Sequence, residues 1–310
     1  MPEKNDSIAI LLCTYNSKVF LAKQLESISQ QSHTNWHVWL SDDSSQDNTL
    51  EVIESYKRKW GEDKLSVQSG PQQGFSLNYL SLVNNDRIQN EYYAYSDHDD
   101  VWLPNKLDRA LKWLQTIPKE IPALYCSRTC LIDEDSKEIG FSQLFSRPPS
   151  FANAIVQNIA GGNTMVFNNS ARNLLQKVDI RGGIVSHDWL TYQVVTACGG
   201  KVIYDESPTI YYRQHTGNII GAKNDWRAYI KRIEMLFRGR FRSSNSSNLK
   251  AVQSLGSSLD EKSRIILEHA HLLKSDSIRI RIKELIKLKI YRQTLMENLG
   301  MVAAIIIRRF

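Results

Sequence analysis

Residues 8–13 (IAILLC) are apolar without a break, within a run that extends from Ser7 to Thr14. A strand with one wet face alternates apolar and polar residues. An unbroken apolar run has to be covered on both faces, and a parallel sheet between two layers of helices provides that cover. The next hundred residues repeat the theme. After a polar break at Tyr15-Asn16-Ser17, Phe20, Leu21, Leu25 and Ile28 recur at helical spacing. A second strand at 36–40 ends in Ser41-Asp42-Asp43-Ser44-Ser45. A helix follows over 47–60, with Asp47 as its expected N-cap. A short strand at 65–68, the loop Gly70-Pro71-Gln72-Gln73-Gly74, a helix over 75–83, a strand from Tyr92 and a helix over 103–116 complete the series. Such alternation specifies a mainly parallel sheet with helices on both faces, whose ligands sit at the carboxyl ends of the strands.

The fourth strand carries the densest chemistry. Tyr92-Tyr93-Ala94-Tyr95 is aromatic core sequence, and Ser96-Asp97-His98-Asp99-Asp100-Val101-Trp102 then sets three carboxylates within four residues. Carboxylates so close repel one another unless a cation neutralises them. Oxygen ligands suit a hard ion, Mg2+ or Mn2+, which commonly shares its shell with substrate phosphates. Asp100 has a second reading as the cap of the helix that starts near Leu103-Pro104. The first strand is not followed by GxGxxG, and no GxxxxGK[ST] occurs, which argues against a dinucleotide fingerprint and a P-loop.

After Pro122 the pattern becomes mixed. A strand is expected at 123–128, a hairpin with a solvated acidic turn at 131–139, an irregular loop at 143–150, and a glycine entry (Gly161-Gly162) into a strand reaching Phe167. A helix starts at Ser186-His187-Asp188-Trp189 and runs to about Ala197, and short strands follow at 201–204 and 209–212. From Lys223 to the end there are 19 Lys and Arg against 8 Asp and Glu, whereas the preceding residues hold 20 against 25. The basic character therefore belongs to the tail, which implies an anionic contact surface for that part alone. Residues 226–242 read as a basic helix, 243–248 as a flexible polar linker, and the remainder as amphipathic helix ending in the apolar run 299–307. The expected organisation is 1–222 as catalytic domain and 223–310 as basic helical extension.

The N-terminus lacks the charged and apolar pattern of a signal peptide, and no run of 18 apolar residues exists. Cys13, Cys126, Cys130 and Cys198 show no framework spacing and read as reduced thiols in a cytoplasmic protein. Cys126-x3-Cys130 lacks further ligands at metal-binding spacing.

Thr14-Tyr15-Asn16, the run Asp42-Asp43-Ser44-Ser45-Gln46-Asp47-Asn48-Thr49, and Ser96-Asp97-His98-Asp99-Asp100-Val101-Trp102 together resemble glycosyltransferase family 2, with its GT-A fold. His187-Asp188-Trp189 and Arg213-Gln214-His215-Thr216-Gly217-Asn218 resemble the bacterial rhamnosyltransferase-like branch that builds surface polysaccharides. The resemblance covers residues 7–220. It implies an inverting, metal-dependent transfer from a nucleotide sugar, dTDP-L-rhamnose above all, to a lipid-linked cell-surface glycan. It assigns the nucleotide sugar to Cys13, Thr14, Tyr15, Asn16, Asp43, Gly74, Asp97 and His98. Mg2+ or Mn2+ falls to Asp97, Asp99 and His215, the catalytic base to Asp188, and the sugar and acceptor pocket to Trp102, Asn163, Thr164, His187 and Trp189. The branch commonly has Gln at the position of His98 and Cys at that of Asn163, departures that bear on the choice of sugar and acceptor.

The same fold and chemistry would also serve a UDP-hexose donor such as UDP-glucose, UDP-galactose or UDP-GlcNAc. A nucleic-acid-binding protein is the other class the basic tail suggests, but the folded part is acidic and offers no basic-aromatic platform. For the tail, the expectation is a peripheral membrane contact at the inner face of the cell membrane, with a homo-oligomer through the C-terminal helices as the alternative.

Overall fold

The computed structural model describes residues 6–215 and 240–308; the side chains of 240–246 are not part of that description. Thr216, Gly217 and Asn218, most of the basic stretch 226–242, and the expected domain boundary at 222/223 lie outside the described residues.

Two sheets organise the chain. The larger has seven strands: β1 (Ile8–Thr14), β2 (Trp36–Asp42), β3 (Leu65–Ser69), β4 (Tyr92–Ser96), β6 (Ala123–Ser127), β9 (Val166–Asn168) and β10 (Lys201–Asp205). Their order is β10-β6-β9-β4-β1-β2-β3. The pairs β4-β1, β1-β2, β2-β3 and β10-β6 are parallel, while β9 runs antiparallel to both β4 and β6. The smaller sheet, β5 (Val101–Trp102), β11 (Ile210–Arg213), β7 (Cys130–Ile132) and β8 (Glu138–Phe141), has the order β5-β11-β7-β8.

All seven residues of β1 are buried, and they divide between two cores. Ala9, Leu11 and Cys13 face one hydrophobic cluster, and Ile8, Ile10 and Leu12 face the other. This is the period-two alternation of a strand covered on both sides. One layer holds α1 (Leu21–Ser29), α2 (Thr49–Trp60) and α4 (Lys106–Leu114). The opposite layer holds α3 (Phe75–Val83), α5 (Phe151–Ala154), α6 (Asn169–Leu175) and α7 (His187–Ala197). Parallel register sets Cys13 beside Ser41, Thr14 beside Asp42, and Leu12 beside Ser96. The polar ends of β1, β2 and β4 therefore meet on one rim, as their sequences imply.

Two local expectations are corrected. Asp47 is not the N-cap of α2, whose cap position is Asn48; the Asp47 carboxylate instead accepts from the Thr49 amide at 3.0 Å and the Lys18 amide at 3.2 Å. The acidic turn of the 131–139 hairpin is exposed as expected, while Arg213 donates to the backbone carbonyls of Asp133 and Glu134 beneath it. The polar run 243–248 is not a linker: it lies inside the helix Arg240–Gln253. Packing overrides composition there, since buried Asn248 accepts the Val185 amide at 2.9 Å and Ala251 and Val252 enter the main core.

The last three helices, Glu261–Ala270, Ile278–Leu288 and Leu295–Ile306, join the same core through Ile266, Leu267, Leu288, Met301 and Ile305. We predict that Ile305→Ala, at a fully buried position, lowers stability by about 2–5 kcal/mol. The check is urea unfolding followed by tryptophan fluorescence and far-ultraviolet circular dichroism. Both signals should shift together in one transition, whereas an independently folded extension would give two.

Candidate active site

The rim is framed before it is functional. Thr14 Oγ1 donates to Asp42 Oδ1 at 2.8 Å, and Asp42 also accepts from the Ser45 amide and hydroxyl. This pins the ends of β1 and β2 together. Asn16 takes a left-handed backbone conformation (φ 49°), and its side chain accepts the Gln46 amide. Tyr15 is exposed beside it. The loop 70–74 wraps Asp43, whose Oδ1 accepts the Gln72 amide at 2.5 Å, and Gly74 opens α3 with φ 88°. Cys13 lies close enough to Asp43 and Asp97 that burial and both charges push its thiol well above its usual range. Cys13 is thus an inert lining group rather than a nucleophile.

At the end of β4, oxygens of Asp97, Asp99 and Asp100 lie within 4.8 Å of one another. Burial, then the charge of Asp99, raises the Asp97 carboxyl to about 7. The Tyr79 hydroxyl sits 2.6 Å from Asp97 Oδ1 and 2.7 Å from the Ser96 carbonyl. The Tyr79 hydroxyl is the donor to both, and its bond to Asp97 holds that carboxyl down against the effect of burial. Burial, then Asp99 and Asp97, raises Asp100 well above the carboxylate range. Asp100 Oδ2 accepts from Asn163 Nδ2 at 2.6 Å, while its buried Oδ1 meets no donor. Asp100 is therefore not a helix cap, and Asn105 holds the cap position of α4. Burial lowers the pKa of His98.

Two basic residues support this loop. Lys106, fully buried at the start of α4, donates from Nζ to the Asn163 carbonyl at 2.9 Å and lies 4.7 Å from the centre of the Trp102 ring. Burial pulls it down to about 7, against the carboxylates of Asp100 and Asp97, which hold it up. Arg213, also fully buried, donates from Nε to the Asp99 carbonyl at 3.1 Å and packs on Phe20. Two residues on, His215 Nε2 lies 2.8 Å from Asp99 Oδ2, its ring 5.2 Å from that of Phe20. The small sheet thus brings His215 to the acidic loop. Three clustered carboxylates, an imidazole and one orphaned buried carboxylate oxygen form a donor set that fits a hard divalent cation.

Across the rim, α7 starts with Ser186 in the cap position and Asp188 as its second residue. Asp188 Oδ2 accepts from Asn158 Nδ2 at 3.0 Å, and its charge contributes to raising Asp97. His187 is buried, with its ring 3.9 Å from and nearly parallel to that of Tyr79. Neither of its ring nitrogens finds a partner, and burial lowers it to about 4. It is a neutral imidazole stacked on Tyr79 and next in the chain to Asp188. Thr164 donates to the Gly161 carbonyl, closing the 161–164 turn against this pair. The two tryptophans are packed inside: Trp102 belongs to the core under α1 and α4, and Trp189 Nε1 donates to the Ala154 carbonyl at 2.6 Å.

The structure thus brings together Cys13, Asp43, Asp97, Asp99, Asn163, His187, Asp188 and His215, and gives Thr14, Trp102 and Trp189 to the frame. Three residues escaped sequence reasoning, Tyr79, Lys106 and Asn158, and Arg213 stood in a quoted motif without a role of its own. Lys106 left a signal, since it falls on the apolar stripe of α4 with Ala110 and Leu114, where a solvated lysine does not belong.

The sequence profile described as Glycosyl transferase family 2 matches residues 9–170, more than half of the chain. The chain belongs to glycosyltransferase family 2. It is a glycosyltransferase with the GT-A fold, and its likeness to the bacterial rhamnosyltransferase-like branch is borne out by a curated relative. That relative, the dTDP-rhamnosyl transferase RfbG of Shigella flexneri, is 25% identical over 73% of this chain and 78% of its own length. The UDP-Glc:alpha-D-GlcNAc-diphosphoundecaprenol beta-1,3-glucosyltransferase WfgD of Escherichia coli is 25% identical over 34% of this chain and 40% of its own. Among solved structures, S. aureus TarS 1–349 in complex with UDP-GlcNAc superposes with TM-score 0.54, 14% identity, and coverage of 91% and 89%. The mannosyltransferase PcManGT of Pyrobaculum calidifontis, in complex with GDP-Man and Mn2+, gives 0.51, 15% identity, and coverage of 97% and 85%. At these identities the structures speak for the fold.

Two outcomes follow from this geometry. A Cβ at Gly162 would stand 2.5 Å from His187 Nε2 and 3.4 Å from Asp188 Cβ. Gly162→Ala should therefore cut sugar transfer at least tenfold while leaving nucleoside diphosphate affinity within about twofold, read from kcat beside calorimetric binding. The second concerns pH. Because folding raises Asp97 to about 7, its folded form holds a proton that the unfolded chain has lost above about 4. The stabilisation linked to that proton is full below the ordinary carboxylate pKa and disappears as pH rises through about 7. In cation-free buffer, Asp97→Asn should gain thermal stability relative to wild type as pH rises across that window; a constant difference would contradict the assignment.

Proposed function

We propose that the protein moves L-rhamnose from dTDP-L-rhamnose to a hydroxyl of a growing, lipid-linked cell-surface glycan, in one displacement that inverts the anomeric carbon. The observation that carries this reading is the carboxylate cluster at the end of β4 facing Asp188 at the start of α7. The rhamnosyl donor is favoured by the activity named for the Shigella relative. The UDP-glucose activity named for the E. coli relative keeps a UDP-hexose as the second reading, and its diphosphoundecaprenol acceptor favours a lipid-linked glycan. In this reading residues 1–222 carry the chemistry, and 223–310 brace and address it.

Asp97, Asp99 and His215 would hold Mg2+ or Mn2+, with Asp100 behind them. When bound, the cation neutralises the leaving diphosphate. The chain's own residues do the rest. Cys13, Thr14, Tyr15, Asn16, Asp43 and Gly74 line the rim for base and ribose, and His98 and Asn163 face the sugar. Asp188, oriented by Asn158, takes the proton of the acceptor hydroxyl as that oxygen bonds to the anomeric carbon. The bond from that carbon to the donor phosphate breaks, and the electron pair leaves with the nucleoside diphosphate. One carboxylate base suffices, since no glycosyl-enzyme forms. Neutral His187 donates or accepts one hydrogen bond at the pocket wall without adding charge. No helix among the described residues is long and apolar enough to cross a membrane; the reading sets the enzyme in the cytoplasm, at the inner face of the cell membrane.

The decisive experiment offers the purified protein a panel of nucleotide sugars with Mn2+, with Mg2+ and with chelator, and records thermal shift and nucleoside diphosphate release. The expected result is stabilisation by dTDP-L-rhamnose that requires the cation. Asp188→Asn should lose transfer by at least about a thousandfold with donor affinity kept. Asp99→Ala should lose cation-dependent donor binding. Donor binding indifferent to chelator, or turnover by Asp188→Asn, would overturn the mechanism.

A further inference from the structure

The helix Ile278–Leu288 has an unusual outer surface. Ile278, Ile282 and Ile286 recur every fourth residue and are all exposed, Ile286 at 70%. Arg279, Lys283 and Lys287 form the adjoining stripe and are exposed as well. The buried face belongs to Arg281, Glu284 and Leu288. In the neighbouring helix Leu295–Ile306, Leu295 (76% exposed), Met296 and Leu299 also point to solvent, and Ile306 and Ile307 are exposed at its far end. Soluble surfaces seldom gather so many large aliphatic side chains without a partner.

Charge identifies the partner. The acidic residues of these two helices are both withdrawn. Glu284 is buried and pairs with His269 at 3.0 Å; Glu297 is tied to Thr294, Gln157 and Arg292. Just outside the first helix, Asp276 is exposed but paired with Arg308 at 2.5 Å. What these helices offer to solvent is aliphatic and cationic. A protein interface of this apolar content would not need a row of cations beside it. An anionic bilayer meets both requirements: isoleucines enter the acyl boundary while lysine and arginine stems lie along it, their heads among phosphates.

We propose that this face docks the enzyme on an anionic phospholipid membrane. Its attachment to the fold gives the docking a use. Between the two helices, Tyr291, Arg292 and Gln293 grip the segment that precedes the base. Asn153 Nδ2 donates to the Tyr291 carbonyl, Arg292 to the Val156 carbonyl, and the Arg147 amide to Gln293 Oε1. That segment ends at Asn158, which orients Asp188. A surface held to the acceptor side would bring the site to an acceptor anchored in lipid. This use rests on the lipid-linked acceptor proposed above; the docking itself rests on the face alone.

The test is sedimentation of the full chain with acceptor-free vesicles, either phosphatidylcholine alone or phosphatidylcholine mixed with phosphatidylglycerol. Binding should require phosphatidylglycerol and weaken in high salt. Ile282→Glu with Ile286→Glu, and separately Arg279→Glu with Lys283→Glu, should each weaken it by roughly tenfold or more. All these positions are exposed, so thermal unfolding and nucleoside diphosphate release in solution should stay at wild-type values. Absence of binding to anionic vesicles, or binding unaffected by both double variants, would overturn the proposal. So would light scattering that finds a dimer which the isoleucine variant converts to monomer. Vesicle binding without donor turnover would sink the sugar-transfer reading and leave docking intact, and turnover without vesicle binding would do the reverse.

Discussion

Mutual repulsion among Asp97, Asp99 and Asp100 is the constraint around which the molecule is arranged. Three carboxylates within one short loop, two of them shifted upward by burial and by each other, would splay apart in an isolated peptide. They are kept together by groups from distant parts of the chain. Tyr79 comes from α3, Lys106 from α4, Asn163 from the turn before β9, Arg213 from the end of β11, and His215 from two residues beyond it. Arg213 acts on the backbone: by donating to the Asp99 carbonyl and to the 133–136 turn, it fixes the loop.

The antiparallel strand β9 has a matching role. β4 and β6 run parallel, joined by the crossover that carries α4. Inserting β9 between them delivers the 161–164 turn directly onto the acidic loop. Asn163 then links Asp100 to Lys106, and Gly162 leaves room for His187 and Asp188. The end of β4 and the start of α7 meet through a few atoms, and that close spacing is why Asp188 reaches Asp97 electrostatically.

What the sequence disclosed follows from which interactions are local. The buried run of β1, the helices after it and the polar strand ends are statements about neighbouring residues, and they were readable. Asp97, Asp99, Asp188 and His215 could be singled out because each stands in a short motif. The contacts of Lys106 and Arg213 could not, since their partners lie 57 and 114 positions away in the chain. Ser243-Asn248 misled for the same reason: polar composition suggested a linker, but contacts with residues near Val185 and the main core decide its helix. The second reading of Asp100, as a cap, fell because a cap and a buried carboxylate look alike until the partner is known.

The closing helices share their hydrophobic interior with α5 and α7, through Met301, Ile305 and Leu288. A part that completes the core cannot be exchanged as a cassette. Recombination that exchanged the closing helices would have to rebuild the core beside α5 and α7 as well, so the C-terminal helices and the framework around α7 should change together in evolution.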